Sequence, residues 1–254
     1  MSLDKVIGIV VDSKSIQDID RVITVLGESG EKHSLILKGI KKSKTRPIVS
    51  TEIGSLVDIN FYNHKNRDIN HIKEIHIVER FENLKSIYHG FLSIHAFCEI
   101  TNKLTPPGND YKNIYDLLKA ALYALNTNGF QIISIPYFKI KLLYSLGLIS
   151  KEFICIRCEE DIFTKSSAYI NSYNFDIFCG DCHQEKNRIE ILKLMKAMFQ
   201  KNYSILLKED IPPSIQSELD SILNSYIRNS LNIEFKSLDI LYQTIGANFS
   251  NTPA

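Results

Sequence analysis

The sequence contains no Gly-x-Gly-x-x-Gly turn, no Walker-type phosphate loop, no Gly-x-Ser-x-Gly elbow and no His-Glu-x-x-His pair. The common signatures of dinucleotide, NTP, acyl-transfer and zinc-peptidase enzymes are therefore missing. No apolar run approaches the ~20 residues needed to span a bilayer. The opening MSLDKVIGIVVDSK carries an early acid, a short apolar run and no small-residue cleavage site, so it does not read as a secretory signal and a cytosolic protein is expected. Neither sign of charge dominates: the net charge is +1, so any claim on a polyanion rests on where the cations sit. Internal repeats and low-complexity linkers are absent. There are only five cysteines, four of them in two close pairs, which fits metal binding in a reducing compartment better than a disulfide framework.

What is present is enough for a folded protein of more than one unit. The 254 residues exceed most single cores, and 44% apolar with 23% charged residues is ordinary for a globular chain. From residue 6 to about 78 come five short β-rich runs, VIGIVVD, RVITVLGE, HSLILKG, SLVDINFY and HIKEIHIV. In SLVDINFY, Val57, Ile59 and Phe61 face one way and Asp58, Asn60 and Tyr62 the other, the period of a half-buried strand. Five such strands in so short a span indicate a small barrel: an OB-fold, an SH3-like barrel or a small sandwich.

The period changes near residue 83. In NLKSIYHGFLSIHAFCEITNKL the residues Leu84, Ile87, Tyr88, Phe91 and Ile94 recur three or four apart, predicting one helix with these on its apolar face. TPPGND ends it. A second helix follows over YKNIYDLLKAALYALNTNG, with Ile114, Leu117, Leu118, Ala121, Leu122 and Leu125 as its stripe, and a third over IPYFKIKLLYSLGL between Pro136 and Gly147. NRIEILKLMKAMFQK, PPSIQSELDSILNSYIRNSLN and EFKSLDILYQTIG repeat the pattern, so the helices must pack together. The predicted organisation is α+β: a strand-rich domain over 1–80, a helical domain over 81–150 and 187–246, a cysteine module over 151–186 inserted in it, and a polar tail over 247–254. Cys98, in an apolar helical stretch, reads as a buried small hydrophobe.

Two stretches carry the functional signal. KGIKKSKTR places Lys38, Lys41, Lys42, Lys44 and Arg46 in nine residues with no acid, following a strand. Cations on one loop can neutralise several phosphates without reading bases, although such a loop can also be merely solvated. Arg21, Lys32, His33 and Tyr62, with Lys65 and Arg67 in a later loop, can extend the surface, since aromatics beside cations suit stacking on single-stranded bases. The second stretch is CIRCEEDIFTKSSAYINSYNFDIFCGDC. Cys155, Cys158, Cys179 and Cys182 form two chelating pairs, spaced for tetrahedral zinc, with Tyr169, Tyr173, Phe175 and Ile177 alternating in a predicted hairpin and Gly180 easing the turn. Four thiolates fill the coordination shell, whereas a catalytic zinc keeps one position open, so the site reads as structural. No His-x-Glu precedes a Pro-Cys-x-x-Cys, so the pattern is not that of a zinc nucleobase deaminase. His183 is a lesser alternative ligand, and Glu159 and Glu160 read as a solvated turn rather than a catalytic pair.

In order and spacing, GIVVDSKSIQDIDRVITVL with KGIKKSKTR, the four cysteines, and the late YIRNSLNIEFKSLDIL resemble the bacterial DNA repair protein RecO family of recombination mediators, over almost the full length. The resemblance implies an N-terminal five-stranded OB-fold barrel, then an all-α domain with an inserted four-cysteine module holding one structural Zn2+. It implies binding of single- and double-stranded DNA, annealing of complementary strands, and work with RecR to load RecA on DNA coated with single-stranded-DNA-binding protein. It implies no covalent chemistry, hence no enzyme, and a cytoplasmic, nucleoid-associated place without a membrane. By match to the family's basic N-terminal surface, Lys38, Lys41, Lys42, Lys44, Arg46 and Arg21 are assigned to DNA. Lys236 and Ser237 match the closing signature and take a structural role. The family's groove for the tail of single-stranded-DNA-binding protein carries over to no residues here. The rival reading is a zinc-stabilised protein-interaction adaptor whose OB-like barrel has no direct DNA role, and a zinc enzyme with an open ligand position is a third.

Overall fold

Val57, Ile59 and Phe61 are buried while Asp58, Asn60 and Tyr62 stay partly exposed, as period-two alternation requires of a strand with one wet face. In this computed structural model, residues 2–16, 19–43, 47–64, 68–108, 111–185 and 187–246 are described. Five strands, β1 Ser2–Ile16, β2 Asp20–Gly27, β3 Lys32–Leu37, β4 Leu56–Asn63 and β5 Asn70–Glu79, close into a barrel in the order β1-β2-β3-β5-β4. Closure depends on the length of β1. Its first part, Ser2 to Ile9, pairs with β4 and its later part, Gly8 to Ile16, with β2, with a register shift between Val10 and Asp12 that lets the strand bend. Among the described strands only β3 and β5 pair in parallel. The interior is filled by Val10, Ile23, Val25, Leu35, Val57 and Ile59, among others. Each such side chain contributes roughly 1.5–3 kcal/mol on burial. Gly30, in the β2–β3 turn, has φ +88°, and a Cβ there would fall 2.0 Å from the Tyr111 carbonyl carbon, so both backbone and space demand glycine.

The chain then turns helical: α1 Glu82–Lys85, α2 Tyr88–Leu104 and α3 Lys112–Asn128. The single helix expected over residues 83–104 is two, and its apolar face is corrected accordingly. The break at Ser86 and Ile87 resets the helical phase, so Ile87, Tyr88 and Phe91 are exposed (55%, 62% and 42%) while Ile94, Phe97, Cys98, Ile100 and Leu104 are buried. Cys98 is fully buried, and burial pushes its thiol up to about 12. These helices belong to the same compact unit as the barrel, residues 1–130. Strands give way to helices between Glu79 and Glu82, and by compactness the chain divides after Phe130.

Lys32 ties β3 to α2. Its Nζ donates to the carbonyls of Asn102 (2.5 Å) and Thr105 (2.6 Å), two of the groups that a helix C-terminus leaves without partners. Burial pulls the ammonium down to about 8. Lys32→Met strands both carbonyls and is expected to cost ~1–3 kcal/mol, seen as a lower urea midpoint with an unchanged slope.

The second unit, residues 131–254, is built on α4 Ser134–Ser145, α5 Ile189–Gln200, α6 Tyr203–Leu206, α7 Pro213–Leu231 and α8 Lys236–Thr244. Pro213 opens α7 where its missing N–H costs nothing, and Asn232 ends it with φ 53°. Between α4 and α5 the chain departs to form a small sheet, β6 Ser167–Ile170, β7 Ile177–Cys179 and β8 Asn187–Arg188, ordered β7-β6-β8. No described helix is long and apolar enough to cross a membrane.

Candidate metal centre and candidate nucleic-acid interface

The two Cys-x-x-Cys pairs meet because β6 and β7 form a hairpin, pairing Ala168 with Cys179 and Ile170 with Ile177. The hairpin predicted between the pairs is thus present, but Tyr173 and Phe175 lie in its connecting turn, Phe175 with φ 63°. The first pair sits in a tight turn closed by Glu159 N to Cys155 O (2.8 Å) and Cys155 N to Glu160 O (2.9 Å), and Cys182 N to Cys179 O (3.0 Å) closes the second. Gly180 is needed for space rather than for a turn conformation: a Cβ there would lie 2.0 Å from Ser167 Oγ.

All four sulfurs lie within 4.8 Å of one another, and Cys158 Sγ is 3.7 Å from Cys179 Sγ. A tetrahedral metal with sulfur at ~2.3 Å requires sulfur–sulfur edges of ~3.8 Å, so the cluster has the dimensions of a closed four-thiolate site. Burial alone raises the Cys155 thiol, but backbone N–H groups of Cys179, Cys158 and Arg157 are aimed at its sulfur and bring it down to about 6. Cys182 is pushed up to about 12, first by its contact with Cys179. Backbone N–H groups thus favour a thiolate at Cys155, while contact with the neighbouring sulfurs disfavours one at Cys182. Lys165 braces the two turns through Glu160 (2.6 Å) and Asp181 (3.0 Å), which accounts for Glu160 structurally. His183 stacks flat on Tyr169 at 3.9 Å, and the ligand group found among the described residues is the four cysteines alone.

The basic stretch follows β3. Residues Ile40–Lys42 form a 3-10 turn in which Ile40 is buried in the barrel core, while Lys38, Lys41 and Lys42 are exposed. The turn is pinned to the start of β2 by Gly39 N to Asp20 Oδ1 (2.7 Å) and Lys41 N to Ile19 O (3.3 Å). Arg21 stands opposite Leu37 in the β2–β3 ladder, hence at the same end of the barrel. Its guanidinium is half-buried and donates to Thr51 Oγ1 (3.2 Å). Lys44, Arg46, Lys65 and Arg67 lie outside the described residues. Lys32 is committed to α2 as above. His33 is packed against Phe61 at 5.5 Å, and burial lowers its pKa. Tyr62 is half-buried on β4. The described cations brought together are thus Lys38, Lys41 and Lys42, with Arg21 behind them. Lys236 and Ser237 open α8.

Periodicity gave no sign of Lys139. It lies on α4 at 0% exposure, its Nζ 2.8 Å from Asp220 Oδ1, 2.5 Å from Asn224 Oδ1 and 2.9 Å from Tyr242 OH. The signal was spread over α4, α7 and α8, in polar residues each of which reads locally as surface.

Comparison with known proteins completes the picture. Residues 1–81 match the family described as Recombination protein O N terminal, and residues 88–239 match Recombination protein O C terminal. The chain is 38% identical to the DNA repair protein RecO of Leptospira biflexa, over 97% of this chain and 99% of that one. It is 22% identical to the RecO of Acetivibrio thermocellus (95% and 97% covered) and 24% identical to that of a Thermoanaerobacter species (95% and 98%).

Proposed function

Because the chain belongs to the recombination protein O family, with a role in DNA repair and recombination, we propose that it is a non-enzymatic mediator that binds single- and double-stranded DNA and anneals complementary strands. The carrying observation is the pinned turn at residues 38–42, which presents lysines to solvent at one end of a closed barrel. We read that barrel as an OB-fold. Its order β1-β2-β3-β5-β4, with β1 shared between β2 and β4 and with β3 parallel to β5, supports the reading. OB barrels commonly bind oligonucleotides through loops and one sheet face. Lysines that neutralise phosphates leave base edges free, and lower the repulsion between two strands that must pair. With RecR as partner, the same activity loads RecA onto DNA held by single-stranded-DNA-binding protein, in the cytoplasm and at the nucleoid. The four-cysteine cluster holds one structural Zn2+, whose chemistry when bound is to fix the two turns through four thiolates.

Replacing Lys41, Lys42 and Lys44 together by Ala is expected to flatten the salt dependence of single-stranded DNA binding by ~0.7 per lost contact, about 2 in all. It is also expected to slow annealing of complementary oligonucleotides coated with single-stranded-DNA-binding protein. A folded variant with an unchanged slope would remove the barrel turn from the DNA surface and favour a protein-binding adaptor.

A further inference from the structure

In the second unit five described cations answer a carboxylate: Lys139 with Asp220, Lys165 with Glu160 and Asp181, Arg188 with Glu218, Lys201 with Glu209, Arg228 with Glu234. Lys141, Lys151, Lys193 and Lys196 differ: among the described residues none has a carboxylate within ion-pair distance, and three of them rest on aromatic rings instead. Lys141 Nζ lies 5.4 Å from the centre of Tyr137, Lys151 Nζ 5.9 Å from Tyr144 and Lys196 Nζ 4.3 Å from Phe163. The rings of Tyr144 and Phe163 are joined through Phe199 and Phe153. Tyr144 meets Phe199 edge-on at 5.2 Å, Phe199 is 6.2 Å from Phe153, and Phe153 is 5.3 Å from Phe163. Lys141 Nζ also donates to the Phe199 carbonyl at 3.3 Å, which places it beside the same run. Lys193 lies one helical turn before Lys196 on α5, and both are exposed. Tyr144, at 38% exposure, presents ring surface to solvent between Lys151 and Lys141.

We infer that this strip of lysines and aromatic rings on α4, α5 and residues 149–163 is a second binding surface for single-stranded nucleic acid, built separately from the barrel turn. The inference rests on the DNA-handling function proposed above and deepens it. Cations set around the exposed Tyr144 ring and the half-buried rings beside it supply the two interactions that sequence-independent strand binding uses, phosphate neutralisation and base stacking. The cations are all lysines. A lysine is a point charge that meets a phosphate at any angle, whereas capture of a carboxylate-rich peptide favours the fixed fork of arginine. Two surfaces on one chain make the second strand's capture intramolecular, so annealing gains from effective concentration without new contacts at the bases.

The test uses the full-length protein with a fluorescein-labelled oligothymidine across a range of salt. The triple reversal Lys151→Glu, Lys193→Glu, Lys196→Glu is expected to flatten the logarithmic salt slope by about 2 and to weaken binding at least tenfold at low salt. Tyr144→Ala is expected to weaken it about tenfold through loss of one stacked base, with Tyr144→Phe restoring it. The exposed lysines leave the melting temperature in place. The Lys41, Lys42, Lys44 alanine variant is measured in parallel. If only that variant loses slope, the strip is overturned and the DNA function stands; if neither does, both fall. If the reversal spares oligothymidine but abolishes binding of an acidic peptide, the strip is a peptide dock and the inference is overturned.

Discussion

Stripping the metal proposed for the four-cysteine cluster with a chelator, or replacing Cys179 by Ser, is expected to collapse residues 151–188 and to leave the barrel's amide protection in place. The segment cannot hold itself together otherwise. Its own buried side chains are few, chiefly Phe153, Ile162, Ala168, Ile170 and Ile177, while ordering each residue costs ~1–2 kcal/mol of backbone entropy. Modules below ~40 residues rarely fold without a metal, a disulfide or a partner. Metal affinity therefore appears as folding free energy, ~10–16 kcal/mol for zinc modules measured alone, and the loss here is a share of that because helices continue on both sides. Cys179 is buried and seated on β7, and its backbone N–H donates to Cys155 Sγ at 3.2 Å, so the two buried ligands join the two turns. Collapse also removes the contacts by which the module grips α7, Phe175 against Tyr226 (5.1 Å) and Arg188 Nε to Glu218 (2.8 Å), so the helical unit should melt at a lower temperature. Elemental analysis should give one zinc per chain, unaffected by Cys98→Ala and lost with Cys179→Ser. Retained hydrogen-exchange protection over 151–188 in a metal-free sample would overturn the structural role.

How much of this was legible beforehand depended on whether the signal was local. The strand pattern of SLVDINFY, the Cys-x-x-Cys pairs and the basic run after β3 each lie within a few residues, and the structure gives strands, a four-sulfur cluster and an exposed lysine turn there. Where two nearby periods compete, pattern reading slipped: Ile87, Tyr88 and Phe91 fit a 3.6 repeat with Leu84, but the break after α1 shifts the phase and leaves them in solvent. Gly180 stands out locally as a turn residue, but its need is steric, since Ser167 is distant in sequence and the hairpin brings its Oγ against the glycine. Lys32 and Arg21 looked like surface cations because a lysine or arginine carries no local mark of its partner; the Asn102 and Thr105 carbonyls and the Thr51 hydroxyl are supplied by tertiary structure.

Lys139→Met is expected to destabilise the helical unit by ~3–5 kcal/mol, the cost of leaving a buried carboxylate without its partner. At ~2–4 °C per kcal/mol for a chain of this size, the melting temperature falls by roughly 6–20 °C. The polar group is closed on itself. Lys139 meets Asp220, Asn224 and Tyr242, Tyr242 OH donates to Asp220 Oδ2, and Asn224 Nδ2 approaches the same oxygen at 3.3 Å. Burial lowers the Lys139 pKa against the opposing pull of Asp220, and it raises that of Tyr242 well above the usual range, with the Asp220 charge adding to the rise. Such an ion pair is weak evidence of stability in itself, since desolvating both charges consumes most of their attraction. What it enforces is arrangement, because α4, α7 and α8 have one relative placement in which every polar atom of the group is satisfied. The double variant Lys139→Met, Asp220→Leu separates the two effects. Removing both charges should recover most of the lost stability, while chemical-shift dispersion and proteolytic resistance of α8 fall if the network is what fixes that helix. A double variant as destabilised as the single one would show that the pair contributes net stability in its own right.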